Sequence, residues 1–313
     1  MKRGTIKPII YFLAGVLGTI TVIFFYSFKK INNAEATVDV QQDGRLQYKW
    51  YPPELPKTIY FANEKVPLDR QEIREQLDRE LMYNYYNIYS TLYILKQTTR
   101  YFPLIEERLK ENGVPDDFKY LCVAESALQN QTSRAGAVGF WQFMKDTAPR
   151  YGLEVDDDVD ERYNVLKSTD AACRYFKDAY ARFGNWTAAA ASYNCGIAGF
   201  DNYSTYQESK DYYSLMLPDE TMRYIFRIIA LKYLITNATK MGFIIQPSDA
   251  YKPYQTYEEV VTQTIPDIEA YAVSKGITYR TLKTLNPWLR SHSLTVMQGK
   301  SYSILLPVQP GKQ

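Results

Sequence analysis

One histidine occurs in 313 residues, His292, within the polar run "RSHSL" close to the C-terminus. A single imidazole there excludes a Ser-His-Asp triad, a His-based zinc site or a histidine general base in the bulk of the chain. Cysteine is nearly as scarce: Cys122, Cys173 and Cys195 have no metal-like spacing. They read as small buried thiols, with one disulfide open to them in an oxidising compartment. A surplus of either charge is also missing. Against 37 Lys and Arg stand 35 Asp and Glu, and no basic stripe marks a nucleic-acid surface. The acidic run "EVDDDVDER" raises calcium. The sixth position from Asp156 is Glu161 rather than Gly, and the twelfth is Lys167 rather than Glu, so the run reads as a solvated acidic loop. No metal or cofactor is expected.

What is present begins with the N-terminus. A basic "MKRGTIK" precedes about 21 residues without a charge, Pro8 to Phe28, long enough to cross a bilayer as a helix. Residues 1–30 therefore read as a membrane anchor. The small-residue "AEA" at 34–36 keeps a cleaved signal peptide as the alternative. Either way the remainder is exported. Residues 31–66 are polar and then proline-dotted, an extended stalk. From Leu68 the apolar spacing turns to threes and fours, and residues 67–245 read as nearly all helix. "DDFKYLCVAES" is a short apolar helix ending near Glu125, followed by a loop to Gly139. "FWQFMKDTAPRYG" reads as a helix closed by Gly152. "STDAACRYFKDAYARFG" and "NWTAAAASYNCG" are further helices, the alanines of the second allowing close packing. After a linker at 246–256, residues 257–308 read strand, helix, turn, helix, strand. The 29 tyrosines fill amphipathic helices or line a wet, sugar-binding groove. The fold class is mainly α, with a small βααβ module at the C-terminus.

The stretch "AESALQNQTSRAGAVGFWQFM", 124–144, holds one carboxylate, Glu125. It follows the apolar "YLCVA", a setting that desolvates the charged form, raises the pKa and fits the group to donate a proton near neutrality. Taken alone, Glu125 could equally be a capping or surface acid. Glycosidases usually employ two carboxylates, and here there is no second in sight.

The surrounding pattern resembles the lytic murein transglycosylases with a goose-type-lysozyme-like (SLT) helical domain, over about residues 95 to 240. The matching residues are Glu125-Ser126; Ser133 followed by Gly136-Ala137-Val138-Gly139-Phe140-Trp141-Gln142-Phe143-Met144; Ser192-Tyr193-Asn194-Cys195-Gly196; and Glu220-Thr221-Met222-Arg223-Tyr224. The GFWQFM form and the "LPDETMRYI" segment point to the membrane-bound D branch of that family. Departures are small: Ser192 stands for the usual Ala, and Cys195 at a small-residue position. The resemblance implies cleavage of the β-1,4 bond between N-acetylmuramic acid and N-acetylglucosamine by Glu125 alone, first as acid and then as base. The substrate's own 6-hydroxyl closes onto C1 and leaves a 1,6-anhydro end.

By the same carry-over, Ser133 and Gln142 would hydrogen-bond the sugar, Gly139 would admit the glycan close to the backbone, and Met144 would pack on a ring face. Tyr193 would orient Glu125, Asn194 would hold the local geometry, and Glu220 and Tyr224 would border the groove or pack behind it. Ser126 would be structural. The C-terminal segment resembles a LysM domain through its Ala-x-x-x-Gly-Ile-Thr, Leu-x-x-x-Asn-Pro and terminal Leu-Pro features, but its start, "TQTIPD", departs from the pattern. The partner implied is peptidoglycan, and the location is the inner membrane of the cell envelope with the catalytic domain in the periplasm. A hydrolytic muramidase, drawing a second acid from "EVDDDVDER", and an inactive glycan-binding scaffold are the alternatives.

Overall fold

The computed structural model describes residues 51–308; the anchor or signal expected at 1–30 lies outside the described residues. Among the described residues, no helix is long and apolar enough to cross a membrane. Two apolar cores organise the rest, a large one in the helical region and a small one in the C-terminal module.

The final part of the expected stalk is instead built into the large core. Strands β1 (Tyr60–Phe61) and β2 (Glu64–Lys65) form an antiparallel hairpin, and Ile59, Phe61 and Val66 are buried. Hydrophobicity at alternate positions, together with one acid placed to serve as a cap, accounts for the difference. The Glu64 carboxylate accepts from Trp186 N (2.6 Å), Thr187 N (2.8 Å) and Thr187 Oγ1 (2.6 Å), at the N-terminus of a helix 122 residues on in the chain.

Helices α1 (Gln71–Tyr86) and α2 (Ile88–Glu111) are followed by the short α3 (Phe118–Ser126). After a long irregular stretch come α4 (Val165–Phe183), α5 (Trp186–Cys195), α6 (Ile197–Tyr206) and α7 (Asp219–Thr236). Asn164 caps α4 by accepting from Leu166 N and Lys167 N, and Asn185 caps α5 through Ala188 N. Ala188 to Ala191 of α5 are fully buried, so neighbouring helices approach without a side chain between them. Helix α3 packs against α2 and α7, and α1 against α7.

Residues 140–152, expected as a helix, are turns and a 3-10 segment at Ala148–Tyr151. Phe140, Trp141 and Phe143 are all buried, a spacing that a regular helix would spread over more than one face. Gly152 does end the segment, in the left-handed region at φ 79°.

The C-terminal module has the expected order: β3 (Thr256–Val261), α8 (Ile268–Ser274), α9 (Tyr279–Leu285) and β4 (Tyr302–Pro307). The strands pair antiparallel from Thr256–Pro307 to Val261–Tyr302. The asparagine of the Leu-x-x-x-Asn-Pro feature, Asn286, is fully buried and acts as a stitch. Its amide donates to Leu305 O (2.8 Å) and its carbonyl accepts from Leu305 N (2.8 Å). The linker is docked: Tyr251 N donates to Lys96 O (3.1 Å) and the Arg100 guanidinium lies over the Tyr254 ring.

The acidic run "EVDDDVDER" is solvated only in part: Asp156 and Asp157 are exposed, as the sequence suggests, but its second half turns inward. Val159, Asp160, Glu161 and Arg162 are buried. Asp160 pairs with the Arg162 guanidinium through both oxygens, and Glu161 binds Lys167 and accepts from Glu154 N (2.9 Å). Charges so placed satisfy each other, and that is what allows them inside.

Candidate active site

Glu125 occupies the last turn of α3, where seven of nine side chains are buried and only Ala124 and Glu125 retain some exposure. The helix stops because Ala127 and Leu128 adopt left-handed backbone, φ 51° and 58°, which turns the chain into the loop. Desolvation by the surrounding apolar side chains raises the Glu125 carboxyl to about 7. Opposing that rise are a hydrogen bond from the Tyr224 hydroxyl to Oε1 and the positive field of Arg227; the negative Glu220 reinforces it slightly. A carboxyl in that range is protonated often enough at neutral pH to give up a proton, and basic enough to take one back.

Two tyrosines exchange the roles expected of them. Tyr224, read as a groove border or packing residue, is 2% exposed and is the side chain that holds Glu125. Tyr193, expected to orient the acid, donates its hydroxyl to Trp141 O (2.7 Å) and packs edge-on or tilted against Tyr175, Phe176 and Phe143. It lies near the acid nonetheless: burial, and then the Glu125 charge, push its phenol well above the ordinary value. Asn194 Oδ1 accepts from the buried Thr221 Oγ1 (2.7 Å), tying the Tyr-Asn motif to the first turn of α7. Glu220 is an exposed residue paired with Arg227 at 2.9 Å.

The loop from Asn130 to Met144 is held by backbone groups. Gln131 O accepts from Gly139 N (2.9 Å), Ser133 N donates to Ala137 O (2.8 Å), and Val138 N donates to Phe143 O (3.1 Å). Ser133 is exposed, and its Oγ accepts from Ala137 N (3.0 Å), so part of its capacity goes to closing this turn. Gln142 sits at φ 51° with Nε2 bonded to Gly139 O (2.7 Å) and Gln131 O (3.1 Å). A left-handed glutamine is uncommon and persists where its surroundings over-determine it. Both its donors are spent on the loop, which leaves Oε1 as an acceptor for a ligand N–H. Met144 is 43% exposed, an apolar side chain offered to solvent directly after the buried Phe143.

Gly139 is required for a reason other than glycan approach. A Cβ there would stand 2.0 Å from Arg162 O, and its φ is 82°. The close neighbour is the protein's own backbone. Arg162 itself escaped notice in the sequence, as did its partner Asp160 and the positive Arg227. The one available signal for Arg162 was an Asp-x-Arg pair directly after an apolar residue. For Arg227 it was the i,i+3 spacing from Tyr224 on one helix face.

All three cysteines are free thiols, Cys122 and Cys173 buried and Cys195 partly so. Among the described residues, no three His, Cys, Asp or Glu side chains converge in a way that would hold a metal ion.

Residues 102–216 match the family described as the transglycosylase SLT domain, and residues 257–310 match the soluble lytic transglycosylase C-terminal LysM-like domain. Two curated relatives, both membrane-bound lytic murein transglycosylase D, from Escherichia coli strain K12 and Escherichia coli O6:H1 strain CFT073, are each 28% identical over 232 residues. The aligned part is 72% of this chain and 50% of each relative, so the chain spans about half the length of the relatives it matches. The chain thus carries a transglycosylase SLT domain, with Glu125 inside it, followed by a LysM-like domain.

Proposed function

We propose that the protein is a lytic transglycosylase of peptidoglycan, cleaving the β-1,4 bond between N-acetylmuramic acid and N-acetylglucosamine. The observation that carries this reading is Glu125: one desolvated carboxyl near pKa 7, oriented by a tyrosine hydroxyl, inside an SLT domain. In the first step the Glu125 proton passes to the glycosidic oxygen as the C1–O bond breaks. In the second, the carboxylate takes the proton of the muramic acid 6-hydroxyl as its oxygen bonds to C1. Acid and base are then one group in alternate states, and no water is consumed. Exposed Ser133, the Gln142 Oε1 acceptor and Met144 would receive the sugar. Residues 1–30 would anchor the chain in the inner membrane, or serve as its export signal, with the catalytic domain in the periplasm.

A hydrolytic reading needs a positioned water and usually a second carboxylate, and the engagement of most acids in the acidic run supports the single-acid one. Asp156 caps the amides of Asp158 and Val159, Asp158 accepts from Thr295 N, Asp160 pairs with Arg162, and Glu161 with Lys167. Digestion of purified sacculi followed by mass spectrometry separates the two. Anhydro ends, lighter by one water than reducing ends, are expected, and reducing muramic ends would show hydrolysis. Release should fall by roughly 10²–10⁴-fold in Glu125→Gln; an unimpaired variant removes the acid from its assigned role.

A further inference from the structure

The segment 154–163 has two faces, and they touch different parts of the molecule. Toward the C-terminal module, Arg290 N donates to Asp158 O (2.8 Å), Asp160 N to Trp288 O (2.9 Å) and Thr295 N to Asp158 Oδ2 (3.0 Å). The Val159 side chain is 1% exposed and completes the module's own apolar core beside Leu289 and Leu294. Glu154 binds Lys300 and accepts from the Tyr302 hydroxyl (3.0 Å). Toward the glycan loop, the Arg162 guanidinium donates to Phe143 O (3.1 Å) while locked to Asp160, and Arg162 O fills the space above Gly139. Tyr163 O accepts from Asn130 Nδ2 (3.0 Å), and its hydroxyl pairs with Thr132 Oγ1 (3.1 Å). The Arg290 guanidinium lies 4.2 Å from the centre of the same Tyr163 ring.

These contacts matter because loop 130–144 has no regular secondary structure to fix it. On one side it is pinned by Trp141, whose Nε1 donates to Thr169 Oγ1 (2.8 Å). On the other it rests on Arg162 and Tyr163, two residues away from the strap that the module clasps. The Tyr193 hydroxyl on Trp141 O and Gln131 Nε2 on Ser126 O strengthen the first side, so the second side depends on Arg162 and Tyr163, and small misplacements of binding groups cost large factors in rate.

We propose that the C-terminal module is a positioning element for the glycan loop, acting through the joint 158–163, whether or not the module itself holds sugar. Asp158 and Arg290 are positioning residues, because they reach the loop only through Tyr163 and the Asp160–Arg162 pair. For its kinetic arm the proposal rests on the transglycosylase reading; its structural arm does not.

The test uses the full chain with Asp158→Ala and Arg290→Ala combined, substitutions outside the loop and away from Glu125. Amide hydrogen exchange is followed at Ser133, Val138 and Gly139, with residues 256–307 as an internal reference. The expected result is exchange at those loop amides at least about fivefold faster, with kcat on short soluble glycan fragments reduced about tenfold and KM little changed. Loop protection within about twofold of the parent protein overturns the proposal, and so does an unchanged loop beside a module that has itself melted. If the parent protein turns over no fragment at all, the enzymatic reading fails while the exchange comparison still decides the joint.

Discussion

Helix α3 delivers Glu125 from an element of nine residues with seven buried, whereas the loop that follows it has Ser133 exposed, Gln142 half-buried and Met144 open to solvent. The acid gains its chemistry from the absence of water, so it must sit on a rigid, apolar helix between α2 and α7. In the proposed reaction the loop meets a polar glycan, which fits recognition groups that stay wet; its order comes from backbone hydrogen bonds, one indole and a neighbouring buried ion pair. The two regions therefore fail differently. Damage to the helix side changes a proton equilibrium; damage to the loop side changes geometry and stability.

The largest effect expected on the loop side follows Gly139→Ala. The new methyl meets Arg162 O at 2.0 Å in a backbone region disfavoured for alanine, so unfolding free energy should fall by roughly 2–4 kcal/mol. Chemical denaturation reads this directly, and a loss below about 1 kcal/mol would show that the loop is soft rather than over-determined.

On the helix side, Glu125→Gln should stabilise the protein in a pH-dependent way. The folded carboxyl titrates near 7, above the ordinary 4.5, so the folded state holds the extra proton between those values. Stability from this group is complete below about pH 4.5 and lost as pH rises through 7. The glutamine variant has no such loss, and its advantage over the parent should grow by roughly 2–3 kcal/mol from pH 4 to pH 8. A constant difference between the two proteins across that range would mean that Glu125 is not desolvated.

Tyr224→Phe is a milder change to the same group. Its hydroxyl favours the carboxylate, so removing it moves the Glu125 pKa further up, and the alkaline limb of the kcat/KM profile shifts to higher pH. Loss of the orienting bond should reduce kcat roughly tenfold. An equal reduction with an unmoved limb would assign Tyr224 a packing role only. The smallest effect belongs to Ser133→Ala, which removes the acceptor for Ala137 N: about 1 kcal/mol or less in stability and a few-fold in KM, with the pH profile unmoved.

Much of this division is written in the chain. The apolar "YLCVA" before Glu125, the Gly184 stop of α4 and the order of the C-terminal module follow from local rules of capping, periodicity and burial, whereas α4 begins under Asn164, a turn before the Ser168-Thr169 start that the sequence suggests. Residues 140–152 mislead because an apolar start and a closing glycine look locally like a helix, while the tertiary structure buries Phe140, Trp141 and Phe143 together on a turn. "EVDDDVDER" misleads because part of what it meets comes from elsewhere: Lys300, Thr295 and Trp288 belong to the C-terminal module and are unrelated to it by any short-range pattern. The hairpin at 60–65 is concealed for the same reason, since the helix end that Glu64 caps lies far along the chain.

By itself the sequence determined the single carboxyl at a helix end and the residue types of the loop, because these depend on identity and local spacing. Tertiary structure alone decided which tyrosine holds Glu125, what Gly139 makes room for, and which charges may be buried. Those outcomes depend on groups distant in sequence meeting within hydrogen-bond reach, where burial turns each pairing from optional to obligatory.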